Sequence, residues 1–357
     1  MTAPDRPITL LERVRAAVVG LLARLPDRWK VRLSGAPPIT IEGQTLDPML
    51  QLIRVVSRHL NPHGLAGPSI PAARRRLRRD MLVYGRRRTP VGAVRDLEID
   101  GGAGPLRARH YAPPGARPAA PLLVFYHGGG FALGDLDTHD ECCRLLCAVA
   151  EVHVLSVEYR LAPEHPFPAA LDDARAAYRW ARAHAFSLGA DPARVAVGGD
   201  SAGGNLAAVL SQCEARGGAA PAAQLLLYPV VDSASRRPSH DLFDTGYFLE
   251  ARDRDTFAEA YTAGTTHERA DPRISPLLAP SLAGLPPAIV VTAGFDVLRD
   301  EGRAYAERLV AEGTRVSTLH FPSLVHGFGN MTTFVPAARS AMERIAQELR
   351  TMLTADG

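Results

Sequence analysis

Apolar positions follow two different rhythms along the chain. Up to about residue 90 they recur every three to four residues in "LLERVRAAVVGLLARL", "LDPMLQLIRVVSRHL" and "AARRRLRRDMLV", with Pro/Gly breaks at 35–38 and 61–71. That spacing predicts amphipathic helices. From about residue 91 short apolar runs alternate with helical stretches. The runs are "VRDLEI", "LRARHY", "PLLVFYHG", "VHVLSVEY", "RVAVGG", "AQLLLYP", "AIVVTAG" and "VSTLHF", and "ALDDARAAYRWARAHA" is the clearest helix among them. Strands alternating with helices predict the α/β class, with a mostly parallel central sheet covered by helices and joined by right-handed crossovers. A polar, strand-free stretch at about 233–272, containing "DTGYFLEARDRDTFAEAYT", interrupts this order and is expected to return as helices to the amino-terminal ones. The expected organisation is therefore a helical cap or extension over 1–90 and an α/β domain over 91–357 with a cap insertion.

Composition narrows the reading. Of 357 residues, 46% are hydrophobic and 22% charged, which is ordinary for a globular protein with a large core. The net charge is +3 and Lys30 is the single lysine, which argues against a nucleic-acid surface. The runs "RRRLRR" at 74–79 and "RRR" at 86–88 read as a solvated helix face rather than a polyanion site, with only a weak case for a lipid surface. No run reaches the roughly 20 apolar residues of a bilayer span, so no stable membrane insertion is expected. The stretch "VRAAVVGLLARLP" contains Arg24 and lacks a clean small-residue cleavage site, so it reads as an amphipathic helix and not as a signal peptide. Cys142, Cys143, Cys147 and Cys213 show no metal-ligand spacing and read as buried or idle thiols in a reducing, cytoplasmic setting.

The candidate chemistry lies in "RVAVGGDSAGGNLAAVL". The apolar run at 195–197 and the Ala/Leu-rich stretch from 202 place Gly199-Asp200-Ser201-Ala202-Gly203 at a strand-to-helix turn, the G-x-S-x-G nucleophile elbow. Taken alone, the pattern fits equally a glycine-rich turn in which Ser201 caps the helix. A serine nucleophile needs a base, a carboxylate to orient that base, and donors for an oxyanion. Upstream, "HGGGF" at 127–131 follows a strand and frees backbone N–H groups, as in the oxyanion motif of lipases and esterases. Downstream, Asp296 in "TAGFDVLRDEG" and His326 in "LVHGF" each follow an apolar strand, giving the order Ser201, Asp296, His326. Asp300 and Glu301 compete as acids but enter the next helix, where they suit its dipole.

Together these segments resemble the bacterial branch of the hormone-sensitive lipase family, microbial carboxylesterases with an α/β-hydrolase fold and a helical cap. The resemblance covers about residues 90–350 and rests on "HGGGF", "YRLAPEHPFPAALDD", "GDSAGGN", "LLLYPVVD", "ISPL", "LPPAIVVTAGFDVLRDEG" and "HGF". It implies that Ser201 is the nucleophile, His326 the general base and acid, and Asp296 its orienting carboxylate. The oxyanion donors would be the N–H groups of Gly129, Gly130 and Ala202, with His127 and Gly128 supporting the loop. The family's D-P-L around the acid reads Asp296-Val297-Leu298 here, so a rigid proline is missing. Tyr159, Arg160, Glu164, His165, Asp200 and Asn205 match the family as scaffold, the last two pinning the elbow.

The expected activity is hydrolysis of short- to medium-chain carboxylic esters through a covalent acyl-enzyme, with a small-molecule ester as partner and neither metal nor organic cofactor. A homodimer is left open. Amide or lactone hydrolysis on the same triad is the nearest alternative. A binding protein that reuses the fold without turnover would be expected to lack His326, which is present here.

Overall fold

A computed structural model of the chain describes residues 7–60, 64–85, 88–115 and 119–354. The amino-terminal part is helical: α1 (Leu10–Ala23), α2 (Asp27–Leu33), α3 (Pro48–Leu60) and α4 (Ile70–Tyr84). Between α2 and α3 lies a two-stranded hairpin, β1 (Thr40–Ile41) and β2 (Gln44–Thr45), which the hydrophobic pattern does not foretell. Eight strands then build one sheet: β3 (Ala93–Gly101), β4 (Gly104–Ala112), β5 (Ala120–Tyr126), β6 (His153–Val157), β7 (Ala190–Asp200), β8 (Gln224–Leu227), β9 (Ala288–Phe295) and β10 (Val316–Val325). Their spatial order is β10-β9-β8-β7-β5-β6-β4-β3. From β6 to β10 the pairing is parallel, while β4 pairs antiparallel with both β3 and β6.

The parallel strands read as nearly unbroken apolar runs because both faces of the sheet are covered. Successive residues point to opposite faces. Thus Leu123, Phe125 and Ile289 join one core with α5 (Asp140–Ala150) and α11 (Pro336–Thr354). Leu122, Val124 and Val290 join the other, with α6 (Ala169–His184), α7 (Ala202–Arg216) and α10 (Arg299–Ala311).

The segment between β8 and β9 carries the remaining helices, α8 (Pro238–Leu242) and α9 (Ala251–Thr262). It meets the amino-terminal helices directly: Arg54 Nε donates to the Gly246 carbonyl at 2.6 Å, and Asp253 accepts the Ala66 N–H at 2.9 Å.

The arginine run at 74–79 departs from the expected solvated face. Arg74 donates to the carbonyls of Ala132 and Ala162, both at 2.6 Å, and to both oxygens of Glu164. Arg78 bridges Asp135 and Asp137, Arg76 donates to the carbonyls of Gly64 and Leu65, and Arg79 pairs with Glu12. These side chains fasten α4 over the α/β domain. A guanidinium suits this because its planar fork serves carbonyls and carboxylates at once. Arg86 and Arg87, from the second run, lie outside the described residues, as do positions 61–63 of the second Pro/Gly break.

Candidate active site

Four parallel strands deliver the candidate residues to one edge of the sheet. His127 directly follows β5, Ser201 follows β7, Asp296 follows β9 and His326 follows β10. The carboxyl ends of parallel strands are where such sheets open a crevice for ligands.

Ser201 has φ +52° and ψ −115°, a conformation that L residues rarely adopt, and it stands at the start of α7. It holds the cap position without capping: its side chain makes no bond to the helix amides. Its Oγ instead lies 2.9 Å from His326 Nε2, and His326 Nδ1 lies 2.9 Å from Asp296 Oδ2. The elbow's backbone is fixed by the Ser201 N–H donating to the Leu227 carbonyl and by the Ser201 carbonyl accepting from Asn205 and Val230. Asn205 Nδ2 also donates to the carbonyls of Val230 and Ile274, both at 2.8 Å.

The elbow glycines supply space, while the positive φ is carried by the serine itself. A Cβ on Gly203 would run into the Tyr126 carbonyl, and one on Gly199 would strike both that carbonyl and the Gly203 backbone. Here the helix start passes within backbone contact of the end of β5.

Asp296 is fully buried, and its Oδ1 accepts the Leu298 N–H at 2.9 Å. The turn that lacks the family's proline is braced otherwise, since Ser239 Oγ donates to the Val297 carbonyl at 2.8 Å. The competing acids face elsewhere. Asp300 accepts the Ser239 N–H, and Glu301 accepts those of Val231 and Asp232, so both anchor the β8–β9 segment.

In the loop after β5, Gly129 and Gly130 have φ +118° and +62°. The N–H groups of Gly129, Gly130 and Ala202 have no acceptor among the described residues. Gly128 differs, because its N–H donates to Asp200 Oδ1 at 2.7 Å. His127 is buried beneath the loop, its Nδ1 2.9 Å from the Gly128 carbonyl and its ring stacked on Tyr159 at 4.4 Å, while Tyr159 Oη donates to the His127 carbonyl. Burial first, and His139 second, lower the His127 pKa to about 4, which leaves a neutral ring at neutral pH. Burial pushes the Asp200 carboxyl up, but the nearby His139 and the Gly128 N–H outweigh it, and the net direction is downward.

Tyr228 falls within the segment "LLLYPVVD", where the sequence assigns it no role, and His139 and Asn330 fall in no motif. Tyr228 lies edge-on to His326 at 5.0 Å, and its hydroxyl accepts the Gly329 N–H. His139 Nε2 is 3.3 Å from Asp200 and 2.9 Å from Asn330 Nδ2. Their partners lie far along the chain, so these contacts are legible only once it is folded.

A cavity of about 610 Å³ opens above Ser201 and His326. Its walls are largely apolar: Leu77, Met81 and Tyr84 of α4, Phe257 and Tyr261 of α9, with Leu65, Phe248 and Phe334. A hydroxyl within hydrogen-bond reach of an imidazole, amide donors with no acceptor among the described residues, and a largely apolar chamber form an arrangement suited to acyl transfer.

Comparison with known proteins gives the same direction. Residues 123–330 match the family described as alpha/beta hydrolase fold. The chain is 46% identical, over 98% of its length and 96% of the relative's, to a carboxylic ester hydrolase, LipN, of Mycobacterium tuberculosis. It is 38% identical to an ethyl acetate hydrolase of Pseudomonas putida, over 84% of this chain and 96% of that one. A solved ester-hydrolase from the metagenome of Lake Arreo, complexed with a derivative of bipyridine phosphonate, superposes with a TM-score of 0.80 at 42% identity, covering 85% of this chain and 96% of the other.

Proposed function

The chain belongs to the hormone-sensitive lipase family of α/β-hydrolases and is a carboxylic ester hydrolase, and from that premise we propose that Ser201, His326 and Asp296 are its catalytic triad. His326 takes the Ser201 proton as Oγ attacks the ester carbonyl, and Asp296 holds the imidazole in place and stabilises its charged form. The negative charge that develops on the carbonyl oxygen is met by the N–H groups of Gly129, Gly130 and Ala202. His326 then protonates the leaving alcohol, and a water activated by the same ring releases the acid from the acyl-Ser201 ester. The observation that supports this most is the 2.9 Å approach of Nε2 to the hydroxyl of a serine held at φ +52°.

Residues 1–90 and the insertion at 233–272 act in this reading as a cap that walls the chamber. The family resemblance favours acyl chains from butyrate to octanoate, and the largely apolar lining suits them. The partner is a small ester, met on the cytoplasmic side. The triad supplies its own nucleophile and base, so a chelator leaves the rate unchanged.

The test is turnover of p-nitrophenyl butyrate and octanoate beside Ser201→Ala and His326→Ala. Each variant is expected to lose about 10⁴-fold or more in kcat. Retention of most activity in a folded Ser201→Ala protein would overturn the assignment.

A further inference from the structure

Helix α1 has two apolar faces, and among the described residues only one of them packs, half-buried, against the rest of the protein. Val19, Leu22 and Ala23 pack against the main core, and Glu12, the only acid of the helix, turns the same way to pair with Arg79 at 2.5 Å. On the opposite side Leu10, Leu11, Val14, Val18 and Leu21 are each between 49% and 79% exposed. At 3.6 residues per turn these five fall within an arc of about 100°.

Arginines border that stripe. By the same periodicity Arg13 and Arg24 lie along one side of it and Arg15 along the other, and none of the three forms an ion pair among the described residues. The outward half of α1 carries no carboxylate. Helix α2 adds exposed Trp29 and Leu33 beside Arg28 and Arg32.

An apolar stripe between two cationic margins matches a phospholipid surface, where the stripe enters the acyl boundary and the arginines reach up to the phosphates. A second copy of the chain fits less well. A helix about 21 Å long and 10 Å wide presents far less than the roughly 800 Å² per partner of a standard interface. A two-fold contact would also set the arginine margins of both copies against each other. We propose that α1 docks the protein on an anionic bilayer surface, peripherally and without spanning it. The docked element packs on α4, whose Leu77, Met81 and Tyr84 wall the cavity, so the cap is the part of the molecule held against the lipid.

The experiment is co-sedimentation of the full chain with vesicles of phosphatidylglycerol and phosphatidylcholine mixed, against phosphatidylcholine alone, at low and high salt. Two variants accompany it: Val14→Asp/Val18→Asp for the stripe and Arg13→Gln/Arg15→Gln/Arg24→Gln for its margins. The parent is expected to partition onto the anionic vesicles in a salt-sensitive way. Each variant should lose that partition by about tenfold or more, with circular dichroism and p-nitrophenyl butyrate turnover preserved. The proposal fails if the parent stays in the supernatant at low salt, if it binds pure phosphatidylcholine equally well, or if the variants bind like the parent. It fails equally if light scattering shows a parent dimer that Val14→Asp/Val18→Asp turns into a monomer.

Discussion

Asp200 Oδ1 accepts the Gly128 N–H at 2.7 Å, joining the elbow that presents Ser201 to the loop that carries Gly129 and Gly130. A nucleophile and its oxyanion donors must keep one spacing through the reaction, and this bond crosses between the two segments. Asp200→Ala is expected to lower kcat about 10- to 100-fold with little change in KM. Asp200→Asn, which can still accept the bond, should recover most of the loss. Equal damage to kcat and KM, or no recovery with asparagine, would mean that Asp200 serves folding alone.

Gly203 sets a conflict of signs. A glycine-to-alanine change inside a helix ordinarily stabilises by about 1 kcal/mol. Here the added Cβ meets the Tyr126 carbonyl, so Gly203→Ala should destabilise by about 2 kcal/mol or more. The urea midpoint measures which effect wins.

Arg74 holds α4 to the loops around residues 132 and 162 through four hydrogen bonds. Arg74→Ala should cost about 1–3 kcal/mol in stability, because two buried-side carbonyls lose a charged donor. Arg74→Lys should restore less than half, since one ammonium cannot reach both carbonyls and Glu164. Denaturant titrations of the three proteins would rank them.

Acid should weaken the fold below about pH 6.5. Burial lowers the pKa of His110, His127 and His320 to about 4 each, from the roughly 6.5 of an exposed imidazole. Between those limits the unfolded chain binds protons that the folded one refuses, so stability is full above pH 6.5 and falls as pH drops toward 4. His110→Gln should reduce the pH slope of unfolding free energy near pH 5 by about 1 kcal/mol per pH unit. An unchanged slope would show that His110 takes up its proton without unfolding.

The thiols make a further check. Cys142, Cys143 and Cys147 are buried, and burial pushes each of them up, Cys147 to about 12. Cys213 is partly exposed. An aromatic disulfide reagent should modify at most Cys213 quickly in the native protein, and all four after denaturation.

The sheet was legible because β5, β6, β8 and β9 are nearly unbroken apolar runs bounded by turns, a signal that depends only on local sequence. The triad candidates were legible through their short motifs: Ser201 in the glycine-rich elbow, Asp296 directly after the apolar run of β9, and His326 in "HGF" beyond the last predicted strand. The roles of the arginines in α4 were not legible, because their partners at positions 132, 135, 137, 162 and 164 lie far along the chain and local composition reads a charge cluster as solvated. The β1–β2 hairpin has only two residues in each strand, too few to show a period. The serine's own positive φ was hidden by its glycine neighbours, which were needed for clearance instead.

His326 directly follows β10, and β10 is the outermost strand on its side of the sheet, paired among the described residues with β9 alone. Peeling that margin away would remove the imidazole and take Leu319, Leu324 and Val325 out of one core, while Ser201 and β7 stay in place. On the proposed triad, activity is therefore a gauge of the sheet's rim rather than of its centre: a molecule that has merely frayed at one border falls as silent as one fully unfolded.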